Sequence, residues 1–139
     1  MSFYTQTKST LFKAISYMTT VLIVEDDPIN VRVFSRILTK LGGLEVRHTE
    51  NVDTVLNMAR SGEVNIILMD VCLAHSHCNG IKITQMLKAD PKTVRVPIIL
   101  VTTLSDRENL LKQSGADDYI SKPIVDPQQF IDQVFSVLT

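Results

Sequence analysis

The 139 residues suffice for one domain with a sizeable core, and 45% hydrophobic against 21% charged residues, with five Gly and five Pro, is the composition of a compact chain rather than a disordered one. Fourteen Lys and Arg stand against fifteen Asp and Glu without any basic run, which argues against direct nucleic-acid binding. Two cysteines, Cys72 and Cys78, are too few for a disulfide framework and fit a reducing cytoplasm, and no apolar stretch reaches the roughly 20 residues that cross a bilayer.

The opening segment MSFYTQTKSTLFKAISY contains no acid, is rich in Ser and Thr, and lacks a continuous apolar signal core. A flexible arm, a docked amphipathic helix using Leu11, Phe12 and Ile15, and a targeting peptide all remain open for it. Residues 1–19 are therefore set apart as an N-terminal extension, and the domain is expected over 20–139.

From Thr20 onward β-branched runs alternate with helical periodicity. VLIV reads as a strand, and Ile29, Val33, Ile37 and Leu41 at four-residue spacing read as the stripe of a helix. LEVRH is the second strand, followed by a helix from about Val52 to Arg60. VNIILM leads to a helix from about Ile81 to Lys88. VPIILVT leads to a shorter helix near Asp106 to Gln113, and DYIS precedes a last helix carrying Phe130, Ile131, Val134 and Leu138. Asp27-Pro28 and Asp126-Pro127 are helix-start signals, an oxygen acceptor followed by a residue that needs no amide partner. Continuous apolar runs such as VNIILM and VPIILV suit central strands covered on both faces, whereas the alternating LEVRH suits an edge. Five βα units of this kind predict an α/β fold with a doubly wound parallel sheet.

Ligands in such sheets sit beyond the carboxyl ends of the strands. There the first strand delivers Glu25, Asp26 and Asp27, the third Asp70, the fourth Thr102 and Thr103, and the fifth Lys122. Crowded carboxylates repel one another and call for a multivalent cation, and oxygen ligands indicate Mg²⁺ or a relative. Lys122 can neutralise an arriving phosphoryl group, and the Thr102 hydroxyl can donate to the same oxygens. Asp27 reads as a helix cap. Capping alone does not account for Glu25, Asp26, Asp70, Thr102 and Lys122 at one end of the strands.

At this point the chain resembles the response regulator receiver family, the CheY-like phosphoacceptor domains of two-component systems. VLIVEDDPIN is similar to the family's acidic-pair strand, IILMD to its phosphoacceptor strand, PIILVT to its hydroxyl-bearing strand and GADDYISKPI to its Lys-Pro signature. The EDDPIN form is similar to hybrid-kinase receivers and stand-alone DivK-like regulators. The resemblance implies a flavodoxin-like three-layer sandwich with strand order 2-1-3-4-5. It implies that Asp70 takes a phosphoryl group from a histidine kinase or phosphotransfer protein. In that reading Asp26 and Asp70 bind Mg²⁺ (or Mn²⁺) directly, Glu25 acts through a water, the carbonyl of Cys72 adds an oxygen, and Lys122 pairs with the phosphoryl oxygens. Thr102 and Tyr119 are then the switch pair, and Pro123 the cis-proline candidate. The implied role is that of a signalling phosphoacceptor rather than an enzyme, acting on a downstream protein as a monomer or phosphorylation-linked dimer.

The chain departs from the family in two places. The loop AHSHCNG is about two residues longer and lacks a proline; His75, His77 and Cys78, with Cys72 nearby, match no common zinc spacing and read as a variable loop beside the site. The stretch between Thr102 and Lys122 is roughly two residues shorter, which predicts a trimmed fourth helix. Three other readings are weaker. A haloacid dehalogenase-type phosphohydrolase needs DxD where this chain has Asp70, Val71 and Cys72, and a flavin site needs a Ser/Thr/Gly loop where EDDPIN would repel phosphate. A pseudo-receiver acting as a phosphorylation-independent binding module would discard the acceptor, acid, hydroxyl and lysine positions that this chain keeps. Neither Cys72 nor Leu104, two residues after Asp70 and Thr102, can orient a hydrolytic water. Slow self-dephosphorylation is therefore expected, and a phosphoryl lifetime of only seconds would contradict it.

Overall fold

The computed structural model describes residues 19–73 and 79–138. The extension up to Met18 and the residues His75, His77 and Cys78 lie outside them. In chain order the elements are β1 (Thr20–Val24), α1 (Pro28–Lys40), β2 (Glu45–Thr49), α2 (Val52–Ser61), β3 (Ile66–Asp70), α3 (Gly80–Ala89), β4 (Ile98–Thr102), α4 (Arg107–Ser114), β5 (Asp118–Ser121) and α5 (Pro127–Leu138). The five strands are parallel in the order β2-β1-β3-β4-β5, as the sequence and the resemblance together lead one to expect. Because the order reverses between β1 and β3, the crevice beyond their carboxyl ends is the topological place for a site.

Side-chain alternation along the buried strands builds two cores. One face of the sheet carries Leu22, Ile67, Met69, Ile98 and Leu100 against Val55, Ile83, Leu87 and Leu110 from α2, α3 and α4. The other carries Ile23, Leu68, Ile99 and Val101 against Phe34 and Leu38 of α1 and Phe130, Ile131, Val134 and Phe135 of α5. The Phe34 and Phe130 rings stack with centroids 5.8 Å apart. β2 is one of the two edge strands, and its exposed Glu45, Arg47 and His48 discourage edge-to-edge pairing.

Helix starts follow from local chemistry. Asp27 Oδ1 accepts from the Ile29 amide at 2.9 Å with Pro28 at the first helical position, and Asp126 Oδ1 accepts from the Gln128 and Gln129 amides. Asn51 and Asn79 cap α2 and α3 in the same way. At eight residues, α4 is the shortest of the five helices. Far from the rim, Lys88 Nζ donates to the carbonyls of Val94 and Val96 and to Asp117 Oδ2, which also accepts from the Ile98 amide at 2.8 Å. That network ties α3 to the starts of β4 and β5.

Helix α1 forms where the stripe of Ile29, Val33, Ile37 and Leu41 places it, but the stripe is not the face that fills the core. Ile29 is 68% exposed and Leu41 52%. At 100° per residue, four-residue steps sweep 120° from Ile29 to Leu41, and α1 turns Phe34 and Leu38 to the sheet instead. Phe34→Ala is accordingly expected to lower the unfolding free energy by about 3–5 kcal/mol. Val33→Ala is expected to change it by less than about 1 kcal/mol. Urea denaturation of both variants checks this, and equal losses would contradict it.

Candidate functional site

The parallel register brings the polar strand ends together. β3 ends on Asp70, β4 ends on Thr102 paired with Ser121 of β5, and the next residue after Ser121 is Lys122, whose amide donates to the Thr102 carbonyl at 2.9 Å. Glu25 follows β1 directly. Ligand oxygens of Glu25, Asp26 and Asp70 all lie within 4.8 Å of one another. Glu25 and Asp70 are 1% and 4% exposed, so the group opens to solvent mainly at its rim.

Lys122 Nζ bridges the buried pair, 3.2 Å from Asp70 Oδ1 and 3.4 Å from Glu25 Oε2. Burial, then repulsion from Asp70, pushes the Glu25 carboxyl above its ordinary range, against the opposing pull of Lys122, the Asp27 amide and Asn30. For Lys122 burial works to lower the ammonium's pKa, but the Asp70 and Glu25 carboxylates outweigh it and raise the group above its usual value. Three carboxylates against one ammonium leave two negative charges uncompensated within this group. Every donor is a carboxylate oxygen, a set suited to a hard divalent cation of the Mg²⁺, Mn²⁺ or Ca²⁺ kind rather than to zinc or copper.

The remaining expected residues surround this centre. The Cys72 amide donates to Asp70 Oδ1 at 3.3 Å, and its side chain is exposed. The buried Thr102 hydroxyl accepts from the Leu104 amide at 3.1 Å, while Tyr119 donates from its phenol to the carbonyl of that same Leu104. Thr102 and Tyr119 thus hold one residue of the β4–α4 loop, Leu104, by its amide and its carbonyl. The Lys122–Pro123 peptide bond is cis.

Four contacts escaped the sequence reading. Asn30 Nδ2 reaches Glu25 Oε1 at 3.4 Å, and the Asp27 amide donates to the same oxygen at 3.2 Å. Asn30 stands in the EDDPIN motif, so its place beside the acids was visible even though its partner was not. His48 Nε2 lies 2.6 Å from the Glu25 carbonyl, to which it can only donate, tying the edge strand to the acidic turn. No periodicity in LEVRH marks that bond. Gly80 packs against the Asp70 main chain, a closeness that only coordinates reveal.

The model of the response regulator receiver domain matches residues 21–135. A polar-differentiation response regulator, DivK, from Brucella anthropi is 37% identical over 120 residues, which are 85% of this chain and 94% of the relative. The receiver domain of a sensor histidine kinase from Pseudomonas aeruginosa, solved with a magnesium ion coordinated in its active-site cleft, superposes with a TM-score of 0.74 at 27% identity, covering 86% of this chain and 97% of that one. The signal receiver domain of a signal transduction histidine kinase from Syntrophus aciditrophicus gives 0.72 at 28% identity, covering 86% and 89%.

Because the folded state holds the Glu25 proton more tightly than the unfolded chain does, its contribution to stability is full below the ordinary value of 4.5 and is lost as pH rises through the raised one. Glu25→Gln is therefore expected to stabilise the metal-free protein at pH 7, raising Tm by about 3–6 °C for a gain of about 1 kcal/mol. The advantage should fade as pH falls toward 4.5. A Tm unchanged at pH 7, or an advantage that grows in acid, would contradict the electrostatic account.

Proposed function

Because this chain belongs to the response regulator receiver family, we propose that it takes a phosphoryl group on Asp70 in a reaction dependent on Mg²⁺, or Mn²⁺, and passes the signal to another protein. Two-component signalling is the role of the family, and the domain is a signalling module rather than an enzyme acting on a metabolite. The single observation that carries the Asp70 assignment is its carboxylate at the centre of the acidic group, 3.2 Å from the Lys122 ammonium. The match to the family over residues 21–135 supports a receiver domain of about residues 20–139, with the extension outside it.

The reaction is a displacement at phosphorus. An Asp70 carboxylate oxygen forms the new O–P bond as the P–N bond of a phosphohistidine breaks, and the electron pair leaves with the imidazole. A bound divalent cation supplies charge neutralisation for the transferring phosphoryl oxygens. In this reading Asp26 and Asp70 would hold the cation directly, Glu25 through a water, and the Cys72 carbonyl would add a further oxygen. Lys122 begins in contact with Asp70, so a small rotation of its ammonium follows the charge onto the phosphoryl group. The donor is a histidine kinase or phosphotransfer protein, which approaches from the rim, and the reaction belongs in the cytoplasm.

Output starts at the Leu104 peptide. Turning the Thr102 side chain so that its hydroxyl donates to a phosphoryl oxygen moves the oxygen that accepts from the Leu104 amide, so that hydrogen bond is disturbed. The Tyr119 phenol holds the carbonyl of the same residue, Leu104, and passes the change to β5. Tyr119 is held on its other side by α5, where Gln133 Nε2 donates to its carbonyl at 3.1 Å, and Arg107 of α4 pairs with the neighbouring Asp118 at 2.9 Å. A downstream protein reading α4, β5 and α5 would sense the shift.

Acetyl phosphate with Mg²⁺, followed by intact mass, tests the proposal. The parent is expected to gain one phosphoryl group, with none gained after chelation or in Asp70→Asn. An adduct that persists in Asp70→Asn would place the acceptor elsewhere, and no adduct in the parent would favour the pseudo-receiver reading.

A further inference from the structure

Gly80 opens α3 at a point where the chain leaves no room for any side chain. A Cβ there would lie 2.0 Å from the Asp70 carbonyl oxygen, 2.8 Å from its carbonyl carbon and 2.9 Å from Met69 Cγ. Two of those three atoms are main chain of a central strand, so no rotamer change relieves the collision. The glycines with positive φ are Gly43, Gly62 and Gly115. The demand at Gly80 is therefore for space and not for an unusual backbone conformation.

The contact is clamped from several sides. The Gly80 amide donates to the Val71 carbonyl at 2.9 Å, and the fully buried Thr84 hydroxyl donates to the Gly80 carbonyl at 2.7 Å. Asn79 caps the first turn by accepting from the Lys82 amide at 3.0 Å. However the chain runs between Leu73 and Asn79, it returns to the main chain of Asp70. We infer that Gly80 is a positioning residue for the acceptor: its bare Cα lets α3 seat on the Asp70 peptide and so fixes the carboxylate relative to Glu25, Asp26 and Lys122. This rests on the proposed role of Asp70. It also explains how a lengthened β3–α3 connection is compatible with an intact acidic group, because the first turn of α3 anchors the strand end independently of the loop.

To accept a methyl group at Gly80, the Asp70 carbonyl would have to retreat by about 1 Å, and misplacement on that scale at a reacting group costs of order 100-fold in rate. The test compares Gly80→Ala with Gly62→Ala, a left-handed glycine whose Cβ would meet nothing within 4 Å. Three readouts are used: Mg²⁺ affinity by calorimetry, amide NMR shifts of Asp70 and Val71 in the metal-free protein, and the phosphorylation rate with acetyl phosphate. Gly80→Ala is expected to move both amide resonances, weaken Mg²⁺ about 10-fold and slow phosphorylation about 100-fold. Gly62→Ala is expected to lower Tm through backbone strain while leaving all three readouts as in the parent. Retention of Mg²⁺ affinity and rate within about twofold in a folded Gly80→Ala would overturn the inference. If Gly80→Ala does not fold, Asn79→Ala loosens the same first turn without touching the site; a several-fold loss of Mg²⁺ affinity supports the inference and an unchanged affinity overturns it. Failure of the phosphoacceptor reading itself is distinguishable, since the parent would then gain no phosphoryl group while the amide shifts and Mg²⁺ affinity still report on Gly80.

Discussion

The Lys122 ammonium, wedged between the buried carboxylates of Glu25 and Asp70, is the interaction on which the site depends. Two carboxylates removed from water at this separation repel strongly, and one lysine offsets only part of that repulsion. The sheet supplies the rest by holding the groups on rigid strand ends: β1 presents Glu25, β3 presents Asp70, and the β4–β5 register sets Lys122 beside them. The folded chain thus stores an electrostatic deficit at one point of its rim. In the proposed function a divalent cation and a phosphoryl group would answer that deficit in turn, so that binding and chemistry share one small centre.

The same scaffold links the centre to a surface. Thr102 ends a central strand, and the loop after it is fixed by two hydrogen bonds at one residue, from the Leu104 amide to the Thr102 hydroxyl and from the Tyr119 phenol to the Leu104 carbonyl. In the proposed mechanism, a phosphoryl group on Asp70 would draw that hydroxyl toward itself, and Leu104 would carry the change to β5. Short, well-packed elements favour this mode of transmission, because a core at crystal-like density responds by switching contacts rather than by gradual deformation. The Lys88–Asp117 network, at the opposite ends of β4 and β5, keeps the far side of the same strands in place.

Strand and helix existence was legible because apolar runs such as IILMD and PIILVT require cover on both faces, and because Asp27-Pro28 and Asp126-Pro127 signal helix starts through local chemistry alone. The acidic residues and Lys122 were legible for a topological reason, since parallel strands all deliver their last residues to one rim. What remained hidden depends on rotation and distance. Four-residue spacing identified α1 as a helix but could not say which of its faces meets the sheet, so Phe34 and Leu38 rather than Ile29 and Leu41 fill the core. The hydrogen bond from His48 to Glu25 crosses 23 residues of chain, and the closeness of Gly80 to Asp70 depends on how α3 docks. Neither leaves a mark in periodicity or composition.

The acidic group of Glu25, Asp26 and Asp70, with Lys122, is proposed as a cation-dependent phosphoryl site. Fluorine-19 NMR of the protein titrated with beryllofluoride, a mimic of the phosphoryl group on a carboxylate, tests it most directly. The account predicts a protein-bound fluorine signal that saturates at one equivalent, requires Mg²⁺ and disappears in Asp70→Asn. A bound signal that persists in Asp70→Asn or without a divalent cation, or no bound signal in the parent with Mg²⁺ present, would contradict it.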